Sequence, residues 1–428
     1  MKELKTIVIN RVEGTRTRFL RGILIRSLLD AGLEFDQAFK LATQIREELS
    51  DEDEIDSEKV RSMVSGRLKK MDREALEFYN QTGAAPARIQ VHSVSSTVSA
   101  FSRGRHTRYL QSSGIRMDKA EQTTNLIYDQ LLTAGVMSLT TCQLGYLTYL
   151  CLQQELSKKA AKRYLVWSEF QRSNRPLLLM ICGAVGSGKS TIATEVAHLL
   201  EIVRIQSTDM LREVMRLMLP ERLLPVLHTS SFNAWTTLPI QDIDTRSQDQ
   251  LVAEGYRSQV ELLAVPCEAV LQRAVEESVP LILEGVHAHP DLLNLGSVHA
   301  DAIMVHITLA VLKPSDLKSR LRGRGAEVPQ RRAKRYLSSF DSIWTLQSFL
   351  LSEADRCDTA IITNNDKDKA IQHLIQQVNY VLSDHFRGTP ESVYGKTVKE
   401  FAQLAETSDW QDIVPHLREN NHLLSTTV

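Results

Sequence analysis

The sequence has little with which to build a disulfide scaffold, a membrane span or a strong electrostatic field. Of 428 residues only five are cysteine. They stand at 142, 151, 182, 267 and 357, with no C-x-x-C pair, and their number is odd. That excludes a disulfide framework and argues against structural zinc, leaving reduced thiols as the expected state. No apolar run approaches the ~18 residues that crossing a bilayer requires. The opening stretch MKELKTIVINRVEG holds no long apolar segment, so no signal peptide is expected and the reading is cytoplasmic. Formal net charge is −1, so no global field recruits nucleic acid or a membrane surface. What remains is an ordinary globular composition, 43% hydrophobic and 24% charged, in a chain long enough for two or three domains.

One stretch carries explicit chemistry. The apolar run from Leu177 ends in Gly183-Ala184-Val185-Gly186-Ser187-Gly188-Lys189-Ser190-Thr191, and a helical pattern follows at once. This fits G-x-x-x-x-G-K-[ST] in its strand-to-helix context, the cradle for a triphosphate. Glycines let backbone N–H groups converge on one point, where the new helix also aims its positive end. Lys189 is expected on the β/γ-phosphates and Ser190 on Mg²⁺. ATP and Mg²⁺ are therefore the expected cofactors.

An internal duplication precedes it. Residues 18–49 and 100–131 match at a constant offset of 82 (19 to 101), pairing Phe19 with Phe101, Arg21 with Arg103, Gly22 with Gly104, Arg26 with Arg108, Gly32 with Gly114 and Asp36 with Asp118. Two copies at so long a period mean two small modules rather than a solenoid. Each reads as a strand, a helix, a glycine break and a second helix, with Asp36 placed to cap and a third helix over 57–70 in the first copy. The expected domains are module 1 (1–85), module 2 (86–156), a helical linker (157–175), a nucleotide-binding α/β domain (176–386) and a tail (387–428). The paired arginines are either surface groups or phosphate contacts.

In the second half, Ile202 to Gln206 reads as a strand ending at Asp209. Ligands in doubly wound sheets sit beyond the carboxyl ends of strands, so Asp209 can take a proton from an incoming hydroxyl or help hold Mg²⁺. Arg212 and Arg216 follow one turn apart and can grip an anionic acceptor. LHTSSFNAW (227–235) reads as a binding loop containing His228 and Ser230. A helix over 255–275 is expected to be interrupted at Pro266. PLILEG (280–285) is a buried strand ending in Glu284, a catalytic candidate with Lys189 and Asp209, expected to hold a Mg²⁺-bound water or to sit opposite Lys189; with Ser190 and Asp209 it makes the expected metal set. His287, just beyond, is a candidate substrate contact; zinc is disfavoured because no third spaced ligand is present. The segment 320–335 holds Arg320, Arg322, Arg324, Arg331, Arg332, Lys334 and Arg335 against one acid. It reads as a lid, with Arg320 and Arg324 on the nucleotide and Arg331 and Arg332 on the acceptor. Nucleic acid is the weaker reading, since only Tyr336 and Phe340 lie nearby to stack. A helix is expected over 336–351 and a last strand over 359–363.

The front half resembles the ATP-cone regulatory module, twice, at the RG-x-x-x-R-x-L-x-x-(A/S)-G signature, although Asn10-Arg11 stands where that module carries Lys-Arg. GAVGSGKSTIA, STDMLREVMR, LHTSSFNAW, LILEGVHAHP and RRAKRYLSSFDSIWTLQ, in this order, resemble the 2-phosphoglycerate kinase family. The resemblance implies a phosphate-loop kinase with a parallel, doubly wound sheet, preceded by mainly helical nucleotide-sensing modules. It also implies phosphorylation of a hydroxyl on a small phosphorylated acid, 2-phosphoglycerate to 2,3-bisphosphoglycerate. The alternatives are a kinase for another phosphorylated polyol and a non-catalytic ATP sensor. No membrane partner is expected, and a homo-oligomer is left open.

Overall fold

The structure is a computed structural model that describes residues 6–10, 15–19, 21–49, 52–72, 75–76, 79, 89–93, 97–239, 246–291, 301–323 and 331–420. The chain divides into two units, Met1–Gln90 and Val91–Val428.

In the first unit, β1 (Ile7–Asn10) pairs antiparallel with β2 (Thr15–Arg18) and parallel with β3 (Glu54–Asp56). Helices α1 (Arg21–Asp30), α2 (Phe35–Glu48) and α3 (Ser57–Met71) complete it. Ala38, Leu41, Ala42 and Ile45 lie on one face of α2 and, with Leu49 at its C-cap, meet Leu24, Leu28, Val64 and Leu68 in an apolar core. Asp36 falls in the first turn of α2 and Glu34 occupies the cap position without a side-chain bond. Gly32 takes φ +95°, ending α1 in a left-handed residue that allows the Leu33 N–H to bond back to Leu28.

The second unit begins with the same design. Strands β4 (Gln90–His92), β5 (Val98–Ala100) and β6 (Ser138–Thr140) form a sheet in the order β5-β4-β6, as β2-β1-β3 do in the first copy. Helices α4 (Arg103–Ser112), α5 (Met117–Thr133) and α6 (Thr141–Glu155) match α1 to α3. Gly114, the partner of Gly32, is also left-handed at φ +83°. The duplication is thus one of topology as well as letters. Sequence reading places 95–99 in a loop; the structure uses Val98–Ala100 as the hairpin's second strand.

Beyond this copy, α7 (Lys158–Arg172) leads into a five-stranded parallel sheet of order β11-β10-β7-β9-β8. The strands are β7 (Leu177–Cys182), β8 (Arg204–Ser207), β9 (Leu281–Glu284), β10 (Ile303–Ala310) and β11 (Ala360–Thr363). Strand β7 is central and all six of its residues are buried, as expected for a parallel strand covered on both faces. The helices are α8 (Lys189–Leu200), α9 (Thr208–Met218), α10 (Gln248–Glu276), α11 (Pro314–Gly323), α12 (Arg331–Ser338), α13 (Phe340–Arg356) and α14 (Lys367–His385). The C-terminal segment adds α15 (Pro390–Tyr394), α16 (Lys396–Thr407) and α17 (Trp410–Asn420).

Three expectations change here. Helix α10 runs unbroken through Pro266, because long apolar contacts on both sides of the proline hold it helical. The helix expected from Tyr336 is two helices, parted at Ser339. The segment read as a linker is structural: Val166, Trp167 and Phe170 of α7 share one core with Leu177, Leu179 and Ile181 of β7 and with α14. Module 2 and the sheet domain therefore belong to one unit. Among the described residues no helix is long and apolar enough to cross a membrane.

Candidate active site

Strand register brings the site together. Ile181 lies opposite Glu284 and Ser207 lies opposite Glu284 on the other side, so β7, β9 and β8 end at one level. The glycine loop, Glu284 and the start of α9 with Asp209 all emerge there, at the carboxyl edge.

The loop geometry is that of a phosphate cradle. Gly188 takes φ +90° just before α8 begins at Lys189. A Cβ on Gly188 would stand 2.4 Å from Asn364 Nδ2, so glycine is required for space as well as for backbone angle. Asn364, buried at the end of β11, donates through Nδ2 to Ser187 O at 2.8 Å and braces the loop from behind. Arg320 reaches the same place, donating to Asn364 O and, at 3.5 Å, to Ser187 O. Lys189, 9% exposed, donates to Ala184 O at 3.0 Å, folded back over its own loop. A cavity of about 310 Å³ opens beside the loop, lined by Gly186, Gly188, Thr191, Arg320, Asn364 and Lys367.

Ser190 and Glu284 meet directly: the serine hydroxyl donates to Glu284 Oε1 at 3.1 Å. Glu284 is 7% exposed. Its burial at the end of an apolar strand is costly without a partner, and the serine is one. Two oxygen donors at the mouth of a phosphate loop suit a hard cation such as Mg²⁺, which takes few protein ligands and completes its shell with phosphate and water. Among the described residues no cluster of three His, Cys, Asp or Glu side chains is arranged for a metal. The donor set therefore matches a cation shared with a ligand rather than a closed protein cage.

Beside this pair, Asp209 stands in the first turn of α9 with its side chain 64% exposed. Arg212 is 3.9 Å from Asp209 Oδ1 and 3.8 Å from Glu213, and it donates through Nη1 to Thr229 O at 2.6 Å. Its Nε is buried with no hydrogen-bond partner. Arg216 pairs with Glu213 at 2.7 Å and is the more exposed of the two.

The histidines behave differently from the expected substrate contacts. His228 binds Leu219 O through Nε2 at 2.8 Å. His287 is 1% exposed and both its ring nitrogens are used. Gln259 donates through Nε2 to Val226 O at 2.6 Å, which turns its amide oxygen toward His287 Nε2 at 2.8 Å. That oxygen can only accept, so Nε2 carries the proton and Nδ1 accepts from Thr208 Oγ1 at 3.1 Å. Burial holds this ring neutral, its pKa lowered to about 3. His287 thus ties α9, α10 and the 225–237 loop together and leaves no nitrogen for a ligand. Thr208 is itself locked: a Cβ at Gly285 (φ +153°) would fall 1.8 Å from Thr208 Oγ1.

Ser230 accepts from Arg335 Nη2 at 2.8 Å, which docks α12 on the 225–237 loop. Arg324 lies outside the described residues, as do the side chains of Arg331 and Arg332. Sequence reading missed Asn364 and Gln259. Neither has a motif around it, and each works through a contact more than twenty residues away. The module arginines are occupied: Arg21 stacks on Phe39, Arg103 on Tyr128, and Arg108 pairs with Glu201 at 3.6 Å. The side chain of Arg26 lies outside the described residues.

No protein-family model matches the chain. Individual relatives do. The 2-phosphoglycerate kinase of Pyrococcus furiosus is 34% identical over 279 residues, covering 65% of this chain and 89% of its own length. That of Methanopyrus kandleri is 32% identical, covering 68% of this chain and 86% of its own. That of Thermococcus kodakarensis is 34% identical, covering 64% and 91%. A solved chain from Chloroflexus aurantiacus aligns over 48% of this chain at 16% identity with a TM-score of 0.25, too low to bear on the fold.

Proposed function

The chain belongs to the 2-phosphoglycerate kinase family, phosphotransferases with an alcohol group as acceptor, and from that premise we propose that it transfers the γ-phosphoryl of ATP to the 3-hydroxyl of 2-phosphoglycerate, giving 2,3-bisphosphoglycerate and ADP. The observation that carries this reading is the Ser190–Glu284 contact at the head of three aligned strands, with the Asp209–Arg212 pair on the adjoining helix. Donor chemistry and acceptor chemistry then face each other across the carboxyl edge of one sheet.

The glycine loop receives the β- and γ-phosphates, and Lys189 leaves Ala184 O to reach them. The cavity with Arg320, Asn364 and Lys367 takes the nucleoside end. Ser190 and Glu284, with Asp209 nearest the acceptor, would hold Mg²⁺. When bound, that ion supplies charge neutralisation on the phosphate oxygens. Asp209 accepts the proton of the acceptor hydroxyl as its oxygen bonds to the γ-phosphorus and the bond to the ADP oxygen breaks. Arg212 holds the phosphate or carboxylate already on the acceptor, and Arg216 assists once released from Glu213. The lid helix α12, docked at Ser230, brings further cations over the site and excludes water. The duplicated modules are read as the sensing front end of this kinase.

The decisive measurement is ADP release with Mg-ATP and a panel of acceptors: 2-phosphoglycerate, 3-phosphoglycerate, glycerate and inositol phosphates. The reading expects 2-phosphoglycerate to give the highest kcat/KM. A higher value for an inositol phosphate would transfer the assignment to that polyol. Asp209→Asn is expected to retain ATP binding and lose ~10²–10⁴-fold in kcat. Wild-type turnover by that variant would remove Asp209 as the base.

A further inference from the structure

Arg212 leans on a backbone carbonyl that a second side chain also holds. Its Nη1 donates to Thr229 O at 2.6 Å, just past the short helical turn Pro225–His228. The same carbonyl accepts from Gln259 Nε2 at 3.3 Å, and that nitrogen also donates to Val226 O at 2.6 Å. Gln259 is fully buried on α10. Arg212 stands on α9, one turn beyond Thr208.

The far end of Gln259 leads back to that helix. Its Oε1 accepts from His287 Nε2, and His287 Nδ1 accepts from Thr208 Oγ1. The contacts therefore close on themselves: Thr208, His287, Gln259, Thr229 O and Arg212, then back along one turn of α9. The ring joins the segment after β9, the start of α9, the middle of α10 and the acceptor-side loop. It also runs in one direction only. Turning the Gln259 amide over would set its oxygen against Val226 O and Thr229 O, three acceptors with no proton among them. A buried network that is paired at every member holds its parts rigidly. Tyr256, one turn before Gln259 on α10, backs the ring. Its hydroxyl donates to Val286 O at 2.7 Å, and its side chain stacks on His287 with centroids 6.5 Å apart at 11°.

We propose that Gln259, too deeply buried to touch nucleotide or acceptor, is the positioning residue for the acceptor's anionic group. By fixing Thr229 O it fixes where the Arg212 guanidinium points, and so it sets acceptor affinity. The inference deepens the reading of Arg212 as the acceptor's anchor and rests on it. A guanidinium grips a phosphate or carboxylate through a planar fork, so its direction matters as much as its charge. The nucleotide side is braced separately, by Asn364 and Arg320 on Ser187 O, and none of those contacts passes through the ring. Loss of Gln259 therefore reaches acceptor binding and spares ATP binding.

The test is steady-state kinetics of the full chain with Mg-ATP and whichever acceptor it turns over fastest, with ATP affinity measured separately by dialysis without acceptor. Gln259→Met keeps the side-chain length and removes the amide. It is expected to raise the acceptor KM at least ~10-fold and to leave the ATP dissociation constant within ~2-fold of wild type. Arg212→Ala is expected to raise the acceptor KM at least as far. The double variant is expected to go no further than Arg212→Ala alone, because Gln259 acts through that arginine. Additive losses in the double variant would overturn the proposal. So would a lower kcat or weaker ATP binding at unchanged acceptor KM, the pattern of a purely structural residue. If Arg212→Ala raises the acceptor KM and Gln259→Met does not, only the role of Gln259 falls. If Arg212→Ala leaves that KM unmoved, the anchor reading falls and takes this role with it. Should Gln259→Met fail to fold, Gln259→Asn, whose amide is one methylene short of Val226 O and Thr229 O, decides by the same readings.

Discussion

Asp209, Arg212, Ser190 and Glu284 have different local settings, and those settings assign their work. Asp209 is exposed at a helix start, where a carboxylate suits the helix dipole and is open to solvent. Glu284 is buried and accepts from the Ser190 hydroxyl. Gly285 is required for a steric reason: its left-handed φ and the 1.8 Å approach to Thr208 Oγ1 leave no room for a methyl group. Gly285→Ala is expected to cost about 2–4 kcal/mol, read as a lowered melting temperature and denaturation midpoint. An unchanged midpoint would mean that Thr208 can rotate away without loss. Lys189 and Glu284 were singled out from spacing alone, and the structure puts Glu284 against Ser190, the residue next to Lys189. His287 was legible as important but not as to role, since a histidine's function depends on what its two nitrogens meet, and Thr208 and Gln259 come from other elements.

At the scale of elements, strand and helix types follow from pattern, while breaks do not. The buried run of β7 and the amphipathic face of α2 carry their own signals. Pro266 looks like a terminator, yet α10 runs through it to a total of 29 residues, with Leu263, Cys267 and Leu271 buried along it. The proline still forfeits one backbone hydrogen bond and crowds the preceding turn. Pro266→Ala is therefore expected to stabilise the protein by ~1–3 kcal/mol, measured by urea denaturation at unchanged m-value. A loss of stability would show that the proline sets a bend that the packing of α10 needs. The split at Ser339 is the opposite case. Periodicity runs through it: Tyr336 and Leu337 of α12 pack against the same core as Phe340 and Ile343 of α13, and Arg335 of α12 also donates to Ser230.

For the molecule as a whole, buried imidazoles set a pH dependence. His106 and His306 are held near pKa 4 and His287 near 3, in each case chiefly by burial. In the unfolded chain these rings titrate near ~6.5. Between those values the unfolded state takes up protons that the native state refuses. Stability is therefore complete above ~pH 6.5 and falls as pH drops, by at most ~1.4 kcal/mol per pH unit for each ring. Melting temperature is expected to decline from pH 7.5 to 5. His306→Gln, which keeps a donor for Ala288 O, is expected to flatten the slope. A melting temperature constant over that range would refute the account. The sequence by itself determined the glycine loop between strand and helix, the acid-ended strands and the duplicated front half, because each is written in contiguous residues. Only the tertiary structure decided that the second module is built into the sheet domain, that Asn364 and Arg320 brace the loop, and that Gln259 joins His287 to Thr229 O. Those depend on contacts between residues far apart in the chain, such as Arg172 with Tyr394 or Ser112 with Asn379, which no local pattern records.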